Sequence, residues 1–156
     1  DMANYIMDLR KIVGHRTLLM PCSCVIIGDG KGNVLLQLRV DDNTWAIHGG
    51  SIELDEKVED AMKREVKEEL NLDVLEYKLL GIYSGLEHHH TYPNGDETSC
   101  IDIVYVCHKY SGTIKIQESE VKKVEWFNKN NLPSNLALSA KKWLEEYFIR
   151  LENNEF

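Results

Sequence analysis

The segment from residue 56 to residue 70 constrains the fold more than any other part of the chain. It contains neither Gly nor Pro and consists largely of good helix formers, so we predict a helix there. Glu65, Glu68 and Glu69 stand at i, i+3 and i+4, which places three carboxylates on one surface of that helix. On a helical wheel they overlap the stripe formed by the apolar residues of the segment. The carboxylates are therefore predicted to border the protein interior.

Three glutamates beside a buried face are costly unless cations neutralise them, because desolvated like charges raise one another's pKa. For an arbitrary helix, a solvated acidic face is the commoner explanation of such a triplet. The overlap with the apolar stripe favours metal binding here instead. Carboxylate oxygens suit hard divalent ions such as Mg²⁺, with Mn²⁺ as a substitute. Arg64 adjoins the cluster and can hold one carboxylate through a bidentate pair.

The rest of the pattern predicts one mixed α/β domain over residues 1–156, in which helices cover a sheet. A short helix over residues 4–13 belongs to an N-terminal extension of residues 1–14, and an amphipathic helix follows Pro133. Strands are predicted over residues 18–27, 34–40, 79–83, 100–108 and 121–127. The first two flank a Gly-rich turn and form a predicted hairpin, whereas residues 41–51 and 85–99 are interpreted as loops.

Charge and cysteine content narrow the classes of function. A formal net charge of −8 disfavours long nucleic acid as a partner. The sequence has no apolar run long enough for a membrane span and no signal-peptide pattern, so we expect a cytoplasmic protein without a membrane partner. The four cysteines have neither the spacing of a zinc motif nor the density of a disulfide scaffold. We interpret them as reduced thiols in strands: Cys22, Cys24, Cys100 and Cys107.

Residues 50–72 read GSIELDEKVEDAMKREVKEELNL. This segment resembles the Nudix box, G-x₅-E-x₇-R-E-U-x-E-E-x-G-U with U aliphatic. The matching residues are Gly50, Glu56, Arg64, Glu65, Val66, Glu68, Glu69 and Leu72. The single departure is Asn71, where the family usually has Gly, and Asn is the next best residue for a left-handed helix end. Before the box, His48 and Asp55 stand where the family often has Pro and Gly.

The resemblance implies an α/β/α Nudix fold, with a mixed β-sheet sandwiched between helices. It further implies a Mg²⁺-dependent hydrolase of pyrophosphate bonds in small nucleotides. By resemblance, the metal ligands are Glu65, Glu68, Glu69 and the carbonyl of Gly50. The implied catalytic residues are Glu65, Glu68, Arg64 and Glu120, and Glu56 supports Arg64. Glu65 ranks before Glu120 as the general base.

Substrate-binding candidates lie in the strands and loops around the box. They are Arg39, Trp45, His48, Gly49, Gly50 and Glu97. Trp45 either stacks on a base or packs beneath the glycine loop, and packing is the favoured alternative. Residues 88–90 are three consecutive histidines in a long polar segment. Because adjacent side chains point in different directions, a substrate-contacting or dimer loop, or else a plain solvated loop, is favoured over a transition-metal site there.

The flanking loops leave the substrate open. The long polar segment after the box suits a bulky second moiety, which favours an NDP-sugar or ADP-ribose type of substrate. One alternative is a housecleaning, MutT-like nucleoside triphosphate pyrophosphohydrolase. Another is a non-catalytic nucleotide-sensing domain, although such domains usually lack at least one of the box glutamates. Relatives with N-terminal extensions often dimerise, so a homodimer is a further expectation.

Overall fold

The secondary structure follows the predicted alternation of strands and helices. The computed structural model describes residues 4–156, so the first three residues of the predicted extension lie outside the described part. The helices are α1 (Tyr5–Val13), α2 (Val58–Leu70) and α3 (Leu138–Glu152), with a 3-10 turn at Leu86–His88. The strands are β1 (Leu18–Gly28), β2 (Asn33–Arg39), β3 (Trp45–Ala46), β4 (His48–Ser51), β5 (Asp73–Tyr83), β6 (His89–Thr91), β7 (Glu97–Ser111) and β8 (Val121–Asn128).

The strands form one mixed sheet with the order β3-β2-β1-β7-β5. Strands β1 and β7 are parallel over their whole shared length, whereas the other pairings are antiparallel. Off this path, β4 pairs with β1, β6 with β7 and β8 with β2. The predicted hairpin of β1 and β2 is confirmed, and its pairing covers the residues next to the turn, Ile27 with Leu35 and Gly28 with Val34.

Each face of the sheet carries its own apolar core, which confirms the predicted α/β/α layering. Alternate side chains of β1 and β7 pack against Trp143, Leu144 and Tyr147 of α3. The other face packs against Met62 and Val66 of α2. Amphipathic helices on both faces bury apolar area that strands alone would leave exposed, and this burial is the main stabilising contribution.

Helix α2 is fixed at both ends. The hydroxyl of Ser23 on β1 donates a 2.7 Å hydrogen bond to the carbonyl of Val58, which ties the first turn of the helix to the sheet. At the other end Asn71 adopts a left-handed conformation with φ 62°, as predicted from its place at the glycine position of the box. Its N–H donates to the carbonyl of Lys67 over 3.0 Å and closes the last turn.

Two loop predictions are wrong. Residues 41–51 contain the short strands β3 and β4, and residues 85–99 contain the 3-10 turn, β6 and the start of β7. Strands this short, or half exposed with polar side chains, do not show the alternating apolar pattern on which strand prediction depends. Among the described residues, none of the helices combines the length and the apolar composition that a membrane span needs.

Candidate active site

A guanidinium clamp joins helix α2 to the chain that precedes it. Arg64 donates to both carboxylate oxygens of Glu56 over 2.7 and 2.9 Å, to Oε1 of Glu65 over 2.8 Å, and to the carbonyl of Ser51 over 3.1 Å. The hydrogen bond from Arg64 holds the pKa of Glu56 below its ordinary value. The predicted supporting pair is therefore in place, and it orients the carboxylate of Glu65.

The three box glutamates are graded from the interior to the surface. The side chain of Glu69 is 1% exposed, that of Glu65 is 14% exposed and that of Glu68 is 44% exposed. The Nη1 atom of Arg64 also lies 3.7 Å from the carboxylate of Glu68. Glu69 and Glu65 thus border the interior as the helical wheel predicted, whereas Glu68 lies at the exposed edge of the row.

Glu69 is buried among hydrogen-bond donors. The N–H of Gly49 and the amide nitrogen of Gln37 each donate to Oε1 over 3.1 Å, and the guanidinium of Arg39 lies 3.5 Å from Oε2. Burial, and then the negative charge of Glu65, raise the pKa of Glu69 to about 8. Burial also raises the pKa of Glu65. Without a cation, Glu69 therefore favours the protonated form near pH 7.

A buried chain of polar groups runs behind Glu69. The guanidinium of Arg39 donates to Oε1 of Gln37 over 2.8 Å, which leaves the amide nitrogen of Gln37 to donate to Glu69 and to Nδ1 of His48. Nδ1 of His48 is therefore the acceptor, and Nε2–H donates to the carbonyl of Leu35 over 2.7 Å. Burial lowers the pKa of His48 to about 4, so the ring is neutral near pH 7.

Gly50 lies directly against the carboxyl group of Glu65. A Cβ at Gly50 would lie 2.5 Å from Cδ and 2.6 Å from Oε1 of that glutamate, so only glycine leaves room for the carboxylate in this position. The preceding Gly49 has φ 146°, and a side chain there would meet the backbone of β1. The paired glycines therefore allow β4 to approach both β1 and α2.

Glu120 approaches the same region from the turn before β8. Its side chain is exposed, and its negative charge contributes to the raised pKa of Glu65. Its carbonyl accepts a hydrogen bond from the N–H of Val40, the residue after Arg39. The fold thus brings Arg39 and Glu120, distant in sequence from α2, toward the box glutamates.

Of three predicted substrate contacts, His48 needs correction, Trp45 adopts the packing that was favoured for it, and Glu97 stays a prediction. Trp45 is buried and packs edge to face on Phe127 at a centroid distance of 5.0 Å, so the packing alternative describes it. His48 is fully buried and orients Gln37 instead of facing a ligand. Glu97 lies at the start of β7, where its carboxylate is 3.0 Å from His89. Its carbonyl accepts from Arg10 of α1, and no contact among the described residues joins it to the box glutamates.

The three consecutive histidines do diverge, as expected for adjacent residues. His88 is buried beside Asp102, His89 pairs with Glu97 on the surface, and His90 is intermediate in exposure.

Gln37 was missed by the sequence analysis. A signal for it exists, because it is the one uncharged polar side chain inside the apolar run VLLQL of β2.

A family model described as NUDIX domain matches residues 19–147. This chain belongs to the Nudix family. It is 34% identical over 147 residues to a protein of Methanocaldococcus jannaschii named ADP-ribose pyrophosphatase. This match covers 90% of this chain and 79% of that protein. It is also 31% identical over 120 residues to a MutT-like protein of Streptomyces ambofaciens. That match covers 77% of this chain and 66% of the relative.

A solved structure gives the same fold. The crystal structure of a MutT Nudix hydrolase from Burkholderia pseudomallei superposes with a TM-score of 0.71 at 25% identity, and the match covers 83% of this chain and 98% of that one. As a Nudix hydrolase, the chain acts on phosphoric anhydride bonds.

Proposed function

We propose that this Nudix hydrolase is Mg²⁺-dependent and cleaves the pyrophosphate bond of a nucleoside diphosphate joined to a second moiety, of the ADP-ribose or NDP-sugar type. The observation that carries the proposal is the graded row of Glu69, Glu65 and Glu68 beside the clamp of Arg64. The substrate class is supported by the similarity to the ADP-ribose pyrophosphatase of M. jannaschii, which extends over 90% of this chain.

The donor set fits Mg²⁺. It offers oxygen atoms only, from the carboxylates of Glu65, Glu68 and Glu69 and the carbonyl of Gly50, and Mg²⁺ prefers oxygen ligands. Burial, and to a smaller extent repulsion from neighbouring carboxylates, raise the pKa of both Glu65 and Glu69, and a bound cation would offset both effects. When bound, Mg²⁺ supplies positive charge against the pyrophosphate oxygens and makes a coordinated water more acidic. Mn²⁺ fits the same donors.

The protein groups have distinct tasks in this scheme. Arg64 keeps Glu65 in one orientation through the 2.8 Å hydrogen bond, and Arg39 brings a positive charge to the edge of the site. Glu65 is the favoured general base, because a raised pKa brings a carboxylate closer to the pH at which it must accept a proton. Glu120 is the second candidate, since it faces Glu65 from an exposed turn.

A nucleoside triphosphate pyrophosphohydrolase is the second candidate function. The similarity to the MutT-like protein of S. ambofaciens and the superposition on the MutT hydrolase of B. pseudomallei favour it. Both functions use the same glutamates and differ in what the surrounding loops hold. A nucleotide-sensing role without catalysis is disfavoured, because all the box glutamates and Arg64 are present.

Product analysis separates these functions. The purified protein is incubated with Mg²⁺ and, separately, with ADP-ribose, NDP-sugars, dinucleoside polyphosphates and (deoxy)nucleoside triphosphates, and products are identified by anion-exchange chromatography and ³¹P NMR. Release of a nucleoside monophosphate and a sugar phosphate supports the proposal. Release of inorganic pyrophosphate supports the triphosphate alternative. Tight binding of a nucleotide without turnover would overturn both, and a parallel reaction in EDTA tests the metal requirement.

A further inference from the structure

A second group of metal-binding side chains lies on the face of the sheet that packs against α3. Its first members are Cys22 on β1 and Cys100 and Asp102 on β7, whose sulfur and carboxylate ligand atoms lie within 4.8 Å of one another. The parallel pairing of β1 and β7 creates this arrangement, because Cys22 stands opposite Asp102 and Cys100 lies two residues earlier on the same face. All three side chains are buried.

His88, in the 3-10 turn that precedes β6, lies beside this group and contacts Asp102. Its Nδ1 lies 3.1 Å from Oδ2 of Asp102, and the two residues are 3% and 4% exposed. The two atoms are not aligned for a hydrogen bond, and neither has a hydrogen-bond partner among the described residues. Trp143 of α3 stacks on the imidazole at an interplanar angle of 8°, which holds the ring in place.

Two buried polar atoms without partners, side by side, are costly in a core. An ion that accepted a lone pair from each would remove that cost. The neighbouring thiols supply further lone pairs.

We propose that Cys22, Cys100, Asp102 and His88 bind one Zn²⁺ ion or a transition-metal ion of similar preference. Two sulfurs, one imidazole nitrogen and one carboxylate oxygen make a four-coordinate donor set that suits Zn²⁺ and does not suit Mg²⁺. Zinc bond lengths place the donor atoms of a tetrahedral site about 3.3–3.8 Å apart, so the ligand atoms of Cys22, Cys100 and Asp102 need to approach one another by roughly 1 Å at most. The imidazole of His88, which contacts Asp102, has to move toward the two sulfurs to complete the site. Binding releases the two thiol protons to solvent.

This site does not depend on the hydrolytic one. It lies on the α3 face of the sheet, whereas the box glutamates belong to α2 on the other face. The four ligands come from β1, β7 and the turn at Leu86–His88, so the ion would fasten that turn to the sheet. Sequence spacing could not reveal it, because strand pairing brings together ligands that are far apart in the chain.

Cobalt substitution tests the proposal on the full chain. Reduced protein is titrated with Co²⁺ in the presence of excess Mg²⁺, which occupies oxygen sites, and the absorption spectrum is recorded. We expect one equivalent of Co²⁺ to bind with a thiolate charge-transfer band and the intense visible bands of a tetrahedral site, and Zn²⁺ to bleach them. Cys22→Ser and Cys100→Ser should each lower the intensity of the charge-transfer band, and the double variant should remove it. Cys107→Ser, a buried thiol on the α2 face, should keep it.

A second pair of variants leaves the strands intact. His88→Gln should weaken Co²⁺ binding at least tenfold while far-UV circular dichroism stays unchanged, whereas His89→Gln, the exposed neighbour, should bind as the wild type does. The proposal is overturned if folded, reduced wild-type protein shows no charge-transfer band at stoichiometric Co²⁺. It is equally overturned if the band survives in the double cysteine variant, or if His88→Gln and His89→Gln bind Co²⁺ alike.

Discussion

The amide nitrogen of Gln37 donates a 3.1 Å hydrogen bond to Oε1 of Glu69, and both side chains are buried. The same amide group accepts from Arg39 and donates to His48. One uncharged side chain therefore links the innermost box glutamate to a cation and to a neutral imidazole. The orientation of Glu69 depends on β2 as much as on α2, although β2 lies outside the Nudix box.

Replacing this link should reduce both stability and activity. In Gln37→Leu, Nδ1 of His48 loses its hydrogen-bond donor. Glu69 keeps only the hydrogen bond from the N–H of Gly49 and the longer contact of 3.5 Å with the guanidinium of Arg39. We expect a loss of about 1–3 kcal/mol in the free energy of unfolding, measured with urea, and a lower kcat. Gln117→Leu, at an exposed position, is the matched control. Equal stability of the two variants would contradict the role assigned to Gln37.

Glu68→Gln should separate catalysis from folding. The side chain is 44% exposed and its nearest charged partner is Arg64 at 3.7 Å, so the free energy of unfolding should change by less than about 0.5 kcal/mol. Turnover should fall by about 100-fold or more, because a proposed Mg²⁺ ligand is weakened. Steady-state kinetics with the substrate found in the product screen measures this, with Glu59→Gln on the same helix as the control. Wild-type turnover in Glu68→Gln would show that this carboxylate is not a ligand.

The sequence predicted the parts of the site that one helix contains. Spacing along α2 placed Glu65, Glu68 and Glu69 together, and the box position of Asn71 predicted its left-handed conformation. Spacing along one helix cannot predict the burial of His48, because that burial depends on the pairing of β4 with β1, in which His48 stands opposite Val25. Strand register is a long-range property, and a two-glycine segment reads as a loop until its partner strand is known.

The same reason explains the errors around residues 85–99. His88 looks like one of three equivalent histidines, yet only the fold turns it inward onto Asp102. Neither residue has a local pattern that marks it as buried. Gln37 is a different case, because a polar side chain within an apolar strand is a local signal that can be recognised without coordinates.

Gly50→Ala should impair catalysis more than folding. The added Cβ would lie 2.5 Å from Cδ of Glu65, so the carboxylate must rotate away and lose its 2.8 Å hydrogen bond from Arg64. We expect kcat to fall at least tenfold, with a loss of about 1 kcal/mol in the free energy of unfolding. Ser51→Ala, which adds no atom next to Glu65, is the control. If Gly50→Ala retained wild-type kcat, the close packing of Gly50 on Glu65 would have no catalytic importance.

The stability of the metal-free protein should fall as the pH rises from about 6.5 to about 8. The pKa of Glu69 is raised from 4.5 to about 8 in the folded state, so the folded protein holds a proton that the unfolded chain has released. The resulting stabilisation is complete below pH 4.5 and is lost as the pH passes through 8. His48 acts in the opposite direction, since its pKa falls from 6.5 to about 4 and its contribution is lost only below pH 6.5.

Above pH 6.5 Glu69 therefore determines the slope, which should reach about 1.4 kcal/mol per pH unit. Urea unfolding in EDTA across this range measures it. Glu69→Gln should remove the decline, because glutamine has no proton to release, whereas Glu76→Gln at an exposed position of β5 should keep it. A decline that persisted in Glu69→Gln would mean that another buried group holds the proton. In that case the most deeply buried carboxyl group of the Nudix box would already be ionised without a cation.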